Sequence, residues 1–226
     1  MKTFIVAIDG TAGSGKSTTA LGLAKKLNFF YLDTGAMYRA LTLSLLKSGF
    51  SLEAEKIKDL IEQTKIDLKK ENNAYRVYLN GRDVTKEIRT PAVNERVSQV
   101  SALPLVREWM VKKQREIAQR KSVVCEGRDI GTVVFPKADV KIYMRANLLE
   151  RARRRFKELK KKIVNANLSS IKNNLAFRDD FDSKRKYSPL RVAKGAIVID
   201  TTNLSIKEEI ELALLEVKKR IPKHSI

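Results

Sequence analysis

Apolar and polar positions follow two periods along the chain. Phe4-Ile5-Val6-Ala7-Ile8 is an unbroken apolar run without helical period, the pattern of a strand buried on both faces. After Lys16, the positions Ala20, Leu23, Ala24 and Leu27 recur at helical spacing. Residues 29–32 predict a second strand, and a helix follows from about Ala36 to Ser48, stopped by Gly49. Residues 52–64 are helical by period. The stretch from Ile66 to about Ile88 differs. Tyr75-Arg76-Val77-Tyr78-Leu79 alternates with period two, Asn80-Gly81 is a strong hairpin turn and Asn72-Asn73 a second turn, which predicts a small antiparallel insertion. Helices follow at about 91–101 and 104–120, with the break at Pro104. Ser122–Cys125 and Val140–Met144 predict two more buried strands. A helix starts at Leu148, Asn165 to Asn167 predicts a turn, and a further helix ends near Ser183. Ala196–Ile199 is the last strand, and Ile206, Ile210, Leu214, Val217 and Ile221 mark a closing amphipathic helix. Strands alternating with helices predict a doubly wound parallel sheet whose site lies at the strand C-termini.

Composition changes this picture in one respect. The 226 residues suffice for one α/β domain with an insertion, and 46 Lys and Arg face 26 Asp and Glu, a net charge of +20. Such a charge fits nucleic-acid binding, or else a protein that handles several phosphates and carries a lysine-rich surface. The charge is spread along the chain, peaks at Arg151–Lys162 and forms no basic tail. Cys125 is the only cysteine and lies in an apolar strand, so no intrachain disulfide forms and a reducing compartment is expected. His224, the only histidine, lies in the terminal tail, which speaks against a phosphohistidine or a histidine base. No apolar run approaches a membrane span and no signal peptide precedes the first strand, so the expected compartment is the cytoplasm.

The chemistry begins at Gly10-Thr11-Ala12-Gly13-Ser14-Gly15-Lys16-Ser17, which fits G-x-x-x-x-G-K-[ST] between a predicted strand and a predicted helix. Glycines let consecutive N–H groups turn inward, and with the following helix N-terminus they make a concave site for the β-phosphate of ATP or GTP. Lys16 can reach the β- and γ-phosphates, and Ser17 can offer its hydroxyl to Mg²⁺.

Three further clusters stand at predicted strand ends or helix faces. Asp33-Thr34-Gly35-Ala36-Met37-Tyr38-Arg39 joins strand two to a helix; Thr34 can cap that helix, and the helical spacing from Gly35 to Arg39 points Arg39 back towards the loop region. Glu126-Gly127-Arg128-Asp129-Ile130-Gly131-Thr132 ends another strand, where Arg128 can neutralise a phosphate and Asp129 can bond a sugar or an amine. Arg178, Asp182 and Arg185, at i, i+4 and i+7, line one helix face, either as an exposed ion-pair stripe or over a nucleotide. Arg151, Arg153, Arg154 and Arg155 crowd one helical turn. That is either a solvated basic face, a patch for nucleic acid, or a lid that meets anions transiently.

Together these motifs resemble the bacterial cytidylate kinase family of P-loop nucleoside monophosphate kinases. The matching strings also include Glu87-Ile88-Arg89-Thr90, Ser98-Gln99-Val100-Ser101, Val106-Arg107, Val133-Val134-Phe135-Pro136 and Ile199-Asp200-Thr201-Thr202, in family order over nearly the whole chain. The resemblance implies an α/β, three-layer P-loop kinase fold with a central parallel sheet, a small antiparallel β insertion and a helical lid. Residues 1–226 then form one P-loop kinase unit: 1–65, 91–147 and 190–226 as core, 66–90 as the insertion of the monophosphate-binding region, and 148–189 as lid and substrate-binding helices. The implied reaction is ATP plus CMP or dCMP giving ADP plus CDP or dCDP, with Mg²⁺. Gly10, Thr11, Ala12, Gly13, Ser14, Gly15, Lys16, Ser17 and Thr18, with the lid residues Arg151, Arg154 and Arg155, are the implied ATP ligands, and Ser17 the metal ligand. Thr34, Tyr38, Arg39, Ser98, Arg107, Arg128, Asp129, Arg178, Asp182 and Arg185 match positions that bind the monophosphate. Lys16, Arg128, Asp129 and Arg185 form the implied catalytic set. Departures are mild: Thr34 stands where Ser is frequent, Glu126 where Asp also occurs, and Phe181 interrupts a more charged region.

Such a site suits the reaction. The nucleophile is a phosphate oxygen already ionised at neutral pH, so the obstacle is the repulsion of two anions rather than the lack of a base. Competing assignments are another P-loop small-molecule kinase, for uridylate, shikimate or dephospho-coenzyme A, and a basic nucleic-acid-binding NTPase. The β insertion and the G-R-D-I-G string argue against the first, and the lack of an aromatic-rich surface against the second. A regulatory GTPase lacks support, because Asn203 is followed by Leu204 and no N-K-x-D motif exists. A monomer without nucleic-acid or membrane partners is expected.

Overall fold

The computed structural model describes residues 3–72, 74–160 and 167–221. Asn73, the Asn165–Ala166 part of the predicted turn, Lys161–Lys162 at the charge peak and His224 lie outside the described residues. The chain divides into two compact units, residues 1–31 with 118–226, and residues 32–117.

The larger unit is built on parallel strands. β1 (Ile5–Gly10), β6 (Val123–Gly127), β7 (Val140–Arg145) and β8 (Ile197–Asp200) are joined by β2 (Phe30–Asp33) in the order β2-β6-β1-β7-β8. Ile8 stands beside Glu126 on one side and Ile142 on the other. Val6, Ala7, Ile8, Val123, Val124, Cys125, Ile142 and Met144 are all buried, as their continuous apolar runs require. Cys125 is buried and forms no disulfide. Helices α1 (Lys16–Leu27), α6 (Leu148–Lys160), α7 (Leu168–Lys184) and α8 (Ile206–Lys218) complete this unit. The chain order reverses at β1, so the central C-terminal edge is a topological switch point, where ligands bind in open α/β sheets.

The smaller unit carries α2 (Thr34–Lys47), α3 (Ala54–Glu62), α4 (Pro91–Ala102) and most of α5 (Pro104–Ala118). It also holds the expected antiparallel insertion, β3 (Ile66–Glu71), β4 (Ala74–Leu79) and β5 (Arg82–Asp83), with Leu68 opposite Val77 and Leu79 opposite Arg82. Asn80 and Gly81 both take positive φ, 49° and 83°, the geometry of a two-residue primed turn. Val77, Leu79, Val84 and Ile88 pack with Ala36, Ala40 and Leu43 of α2 and Val93 of α4, so the insertion has a core of its own.

Three details depart from the sequence expectation. Helix α2 starts two residues earlier than the apolar period suggests, because Asp33 rather than Thr34 caps it: Ala36 N–H donates to Asp33 Oδ1 at 2.8 Å. Thr34 becomes the first helical residue. Strand β6 extends through Glu126 and Gly127, which places a buried carboxylate at its end. A wide helical turn over Ile130–Val134 and a 3₁₀ turn over Glu87–Arg89 were not foreseen, since single turns are too short to show a period.

Candidate active site

β1 delivers the phosphate loop and α1 receives it. Gly15 sits at the start of α1 with φ 89°, and a Cβ there would lie 2.3 Å from Glu209 Oε2, so both conformation and space demand glycine. The first N–H groups of α1 have no partner within the helix and form its positive end. Lys16 is buried and its Nζ donates to Thr11 O at 3.0 Å, so the side chain arches over its own loop. Burial pushes the Lys16 ammonium down to about 7; Arg128 and Arg178 push the same way, while Glu126 and Asp182 pull it back up. Ser17 Oγ donates to Glu126 Oε1 at 2.7 Å, and Tyr31 OH reaches the same oxygen at 3.4 Å.

The glycine-bracketed segment after β6 is held from below by Asp9. Ile130 N–H and Gly131 N–H each donate to its carboxylate at 2.7 Å. The wide turn is closed by Val134 N–H to Asp129 O at 3.1 Å and Phe135 N–H to Ile130 O at 2.6 Å. Burial raises Asp9 to about 6, although the two N–H groups favour its ionised form. Replacement of Asp9 by Ala leaves those two buried N–H groups unpaired. The expected loss is about 2–4 kcal/mol of stability, checked by denaturant unfolding with the Asp9→Asn variant as a milder control.

Above that turn four of the expected side chains converge. Arg128 Nε donates to Asp182 Oδ2 at 2.7 Å, Arg185 stands 3.7 Å from Asp129 Oδ1 and 4.0 Å from Asp182 Oδ1. Burial disfavours the Arg128 cation, but the Asp182, Glu126 and Asp179 carboxylates outweigh it and raise its pKa. The predicted stripe on one helix face is corrected in one respect. α7 ends at Lys184, and Arg185 leaves the helix in extended conformation with its Nε on Ser188 O at 2.6 Å. It therefore meets Asp129 and Asp182 from outside the helix. Arg178 is close enough to act on Lys16.

In the smaller unit, Arg39 lies over Gly35, where a Cβ would be 3.4 Å from its guanidinium. Asp33 faces Arg39 at 3.7 Å and Arg89 at 3.9 Å. Thr34 and Tyr38 are buried, and the Arg107 guanidinium stands 5.7 Å from the Tyr38 ring centre while donating to Ser101 O at 3.2 Å. Ser98, half-buried on α4, accepts Ser101 Oγ on its carbonyl at 3.1 Å.

The lid arginines separate. Arg151 is buried against the phosphate loop, and Arg154 is held by Glu150, Thr201, Leu204 and Glu209. Arg155 is exposed and pairs with Glu158 at 2.8 Å. Sequence patterning gives no role to Asp9, Glu126, Asp179 or Glu209, yet all four carboxylates touch or support the loop region. A signal exists for two of them: Glu126 ends an apolar strand, and Glu209 falls on the apolar face of α8 and is buried beside Thr19 Oγ1 at 3.0 Å.

A family model described as cytidylate kinase matches residues 6–219. A cytidylate kinase of Caldanaerobacter subterraneus is 50% identical over 215 residues, covering 95% of this chain and 94% of its own. One from Carboxydothermus hydrogenoformans is 51% identical over 213 residues, covering 94% and 96%. Among solved structures, an uncharacterized protein from Eubacterium ventriosum superposes with a TM-score of 0.51 at 14% identity, over 97% of this chain and 100% of its own, a likeness of fold alone. The strings that suggested the resemblance, the match over nearly the full length and half-identical relatives lead to one conclusion: the chain belongs to the cytidylate kinase family.

Proposed function

We propose that the protein transfers the γ-phosphoryl group of ATP to CMP or dCMP, giving ADP and CDP or dCDP. The observation that supports this most directly is Lys16, held in a phosphate loop whose electrostatic surroundings include Arg128 and Arg178. Lys16, Arg128 and Arg178 act on one another beside the Glu126, Asp182 and Asp179 carboxylates, and a cluster of cations held in this way suits a transferring phosphoryl group.

In this mechanism Gly10 to Thr18 cradle the ATP phosphates through backbone N–H groups, and Lys16 follows the γ-phosphoryl group as charge builds on it. Arg128 and Arg185, backed by Asp129 and Asp182, draw in the acceptor phosphate and offset its repulsion from ATP. The acceptor oxygen attacks phosphorus as ADP leaves on the opposite side; it is already ionised and needs no base. Thr34, Tyr38, Arg39, Ser98, Arg107, Arg178 and Asp182 are assigned to the monophosphate. Cytosine needs donors for its O2 and N3 and an acceptor for its N4 amine, which serine, arginine and aspartate side chains supply. Residues 148–189 act as the lid that excludes water, with the exposed Arg155 as the lid arginine assigned to ATP.

A magnesium ion fits the donor set. Ser17 Oγ and the Glu126 carboxylate lie together at the foot of α1, and among the described residues no group of three or more His, Cys, Asp or Glu forms a closed metal cage. Mg²⁺ takes one or two protein ligands and completes its shell with phosphate oxygens and water. When bound, it neutralises charge on the β- and γ-phosphates. No helix among the described residues is long and apolar enough to cross a membrane. A cytoplasmic monomer without nucleic-acid partners is the proposed working form.

The test is ADP release over a panel of acceptors at saturating ATP. CMP and dCMP should exceed UMP and AMP by at least about 10²-fold in kcat/KM, since a site built to bond the cytosine edge leaves polar groups unpaired with other bases. Equal use of all four would defeat the assignment.

A further inference from the structure

Ala12, the third residue of the phosphate loop, is gripped at three points. Its N–H donates to Asp179 Oδ1 at 3.2 Å, its carbonyl accepts from Arg151 Nη1 at 3.0 Å, and its methyl is buried with Ala152 and Leu175. The two polar partners are themselves joined by a 2.6 Å ion pair between Arg151 Nη1 and Asp179 Oδ2. Arg151 Nε donates to Ala146 O at 2.9 Å, which anchors the guanidinium at the start of α6. At the next residue the loop runs flush against α6: a Cβ on Gly13 would lie 3.3 Å from Arg151 Cβ.

We infer that Arg151 and Asp179 are positioning residues that hold the two peptide groups flanking the Ala12 Cα, and through them the N–H groups of the phosphate loop, in the conformation that receives phosphate; neither touches the nucleotide. This rests on ATP binding at the loop. Family resemblance places Arg151 among the ATP ligands, but its geometry assigns it elsewhere. The side chain is 7% exposed, and turning it toward ATP would strip the Ala12 and Ala146 carbonyls and the Asp179 carboxylate of their donor. A loop with positive φ at Gly13 and Gly15 loses much conformational freedom when ordered. A carboxylate on the peptide before the Ala12 Cα and a guanidinium on the peptide after it fix two successive peptide planes before the ligand arrives, so that cost falls on folding and not on binding. The partners come from α6 and α7, so the hairpin assigned as the lid is tied to the loop it covers.

The test compares Arg151→Ala, Asp179→Ala, Asp179→Asn and the Arg151→Ala/Asp179→Ala double variant in the full chain. ADP affinity is measured by calorimetry without acceptor, and KM for ATP and for CMP by ADP release. Each alanine variant should weaken ADP binding and raise the ATP KM about ten-fold, the scale of a lost charge-assisted hydrogen bond, with the CMP KM changed less than about two-fold. The double variant should be no worse than the poorer single one, because the two groups are paired with each other and act on the same residue. Asp179→Asn keeps an acceptor for the Ala12 N–H and should recover part of the loss, which also guards against variants that merely fold poorly. The inference is overturned if Arg151→Ala weakens nucleotide binding while Asp179→Ala leaves or improves it, since that marks Arg151 as a direct ligand. It is equally overturned if the variants lose thermal stability alone with both KM values and the ADP affinity unchanged. Absence of CMP-dependent turnover in the unaltered protein would count against the proposed acceptor, not against the clamp, which the ADP measurement tests by itself.

Discussion

Lys16→Met is expected to lower kcat with CMP by about 10³-fold while the protein remains folded. The side chain is buried, its Nζ contacts Thr11 O at 3.0 Å, and burial has already pushed its pKa down to about 7. Methionine keeps the apolar stem and removes a buried cation, a change that leaves stability equal or higher. What is lost is a mobile charge for the phosphoryl group in transit, which neither the loop N–H groups nor the neighbouring arginines replace. The same residue gives the reaction a pH signature. In the free protein Lys16 is partly neutral above about pH 7, and bound phosphates draw its pKa back up. Nucleotide binding at pH 8 should therefore take up protons, and affinity should fall as pH rises through 7 toward the higher pKa of the complex. Calorimetry in buffers of different ionisation enthalpy measures that uptake. Persistence of the full uptake in Lys16→Met would assign it to another group, and undiminished turnover would remove Lys16 from the chemistry.

Much of this site is legible in the sequence because the chemistry is local. The phosphate loop needs glycines at fixed spacing between a strand and a helix, and that pattern survives without any knowledge of the fold. The hairpin at Asn80-Gly81 is equally explicit, since both residues must take positive φ. Parallel strands β1, β6, β7 and β8 announce themselves as short apolar runs. The carboxylates beneath the loop do not. Asp179 is the first of two adjacent aspartates, and nothing local distinguishes it from Asp180, which pairs with Lys184 at the surface. Glu209 belongs to a first helical turn where an acid is ordinary; its place on the apolar face of α8 hints at burial, but the structure is needed to show that it fills the space a Gly15 side chain would need. The arginine-rich turn of α6 misleads for the same reason. Sequence presents four equivalent cations, whereas Arg151 and Arg154 spend their donors on the protein and Arg155 faces outward. Contacts with residues that lie 28 to 139 positions away decide which of these charges turns inward, and periodicity carries no information about them.

Arg128→Ala is expected to lower kcat/KM for CMP by about 10²–10³-fold with little change in the ATP KM. Arg128 is the cation that Asp182, Glu126 and Asp179 hold in its charged form, and its Nε is fixed on Asp182 at 2.7 Å. That contact orients the guanidinium, and the remaining donors are the ones proposed for the acceptor phosphate. Arg128→Lys retains the charge but not the planar fork, so it should recover only part of the activity. Removing Arg128 also leaves Asp182 without its nearest donor, and breaking a buried pair in this way costs about 3–5 kcal/mol, visible as a fall in Tm. A second substitution separates the two effects. Asp182→Asn added to Arg128→Ala removes the orphaned charge and should restore much of the stability, yet activity toward CMP should stay low because the guanidinium is still missing. If the double variant instead regains CMP turnover, the work of Arg128 is to neutralise Asp182, and the acceptor phosphate must be held by Arg185 or Arg178.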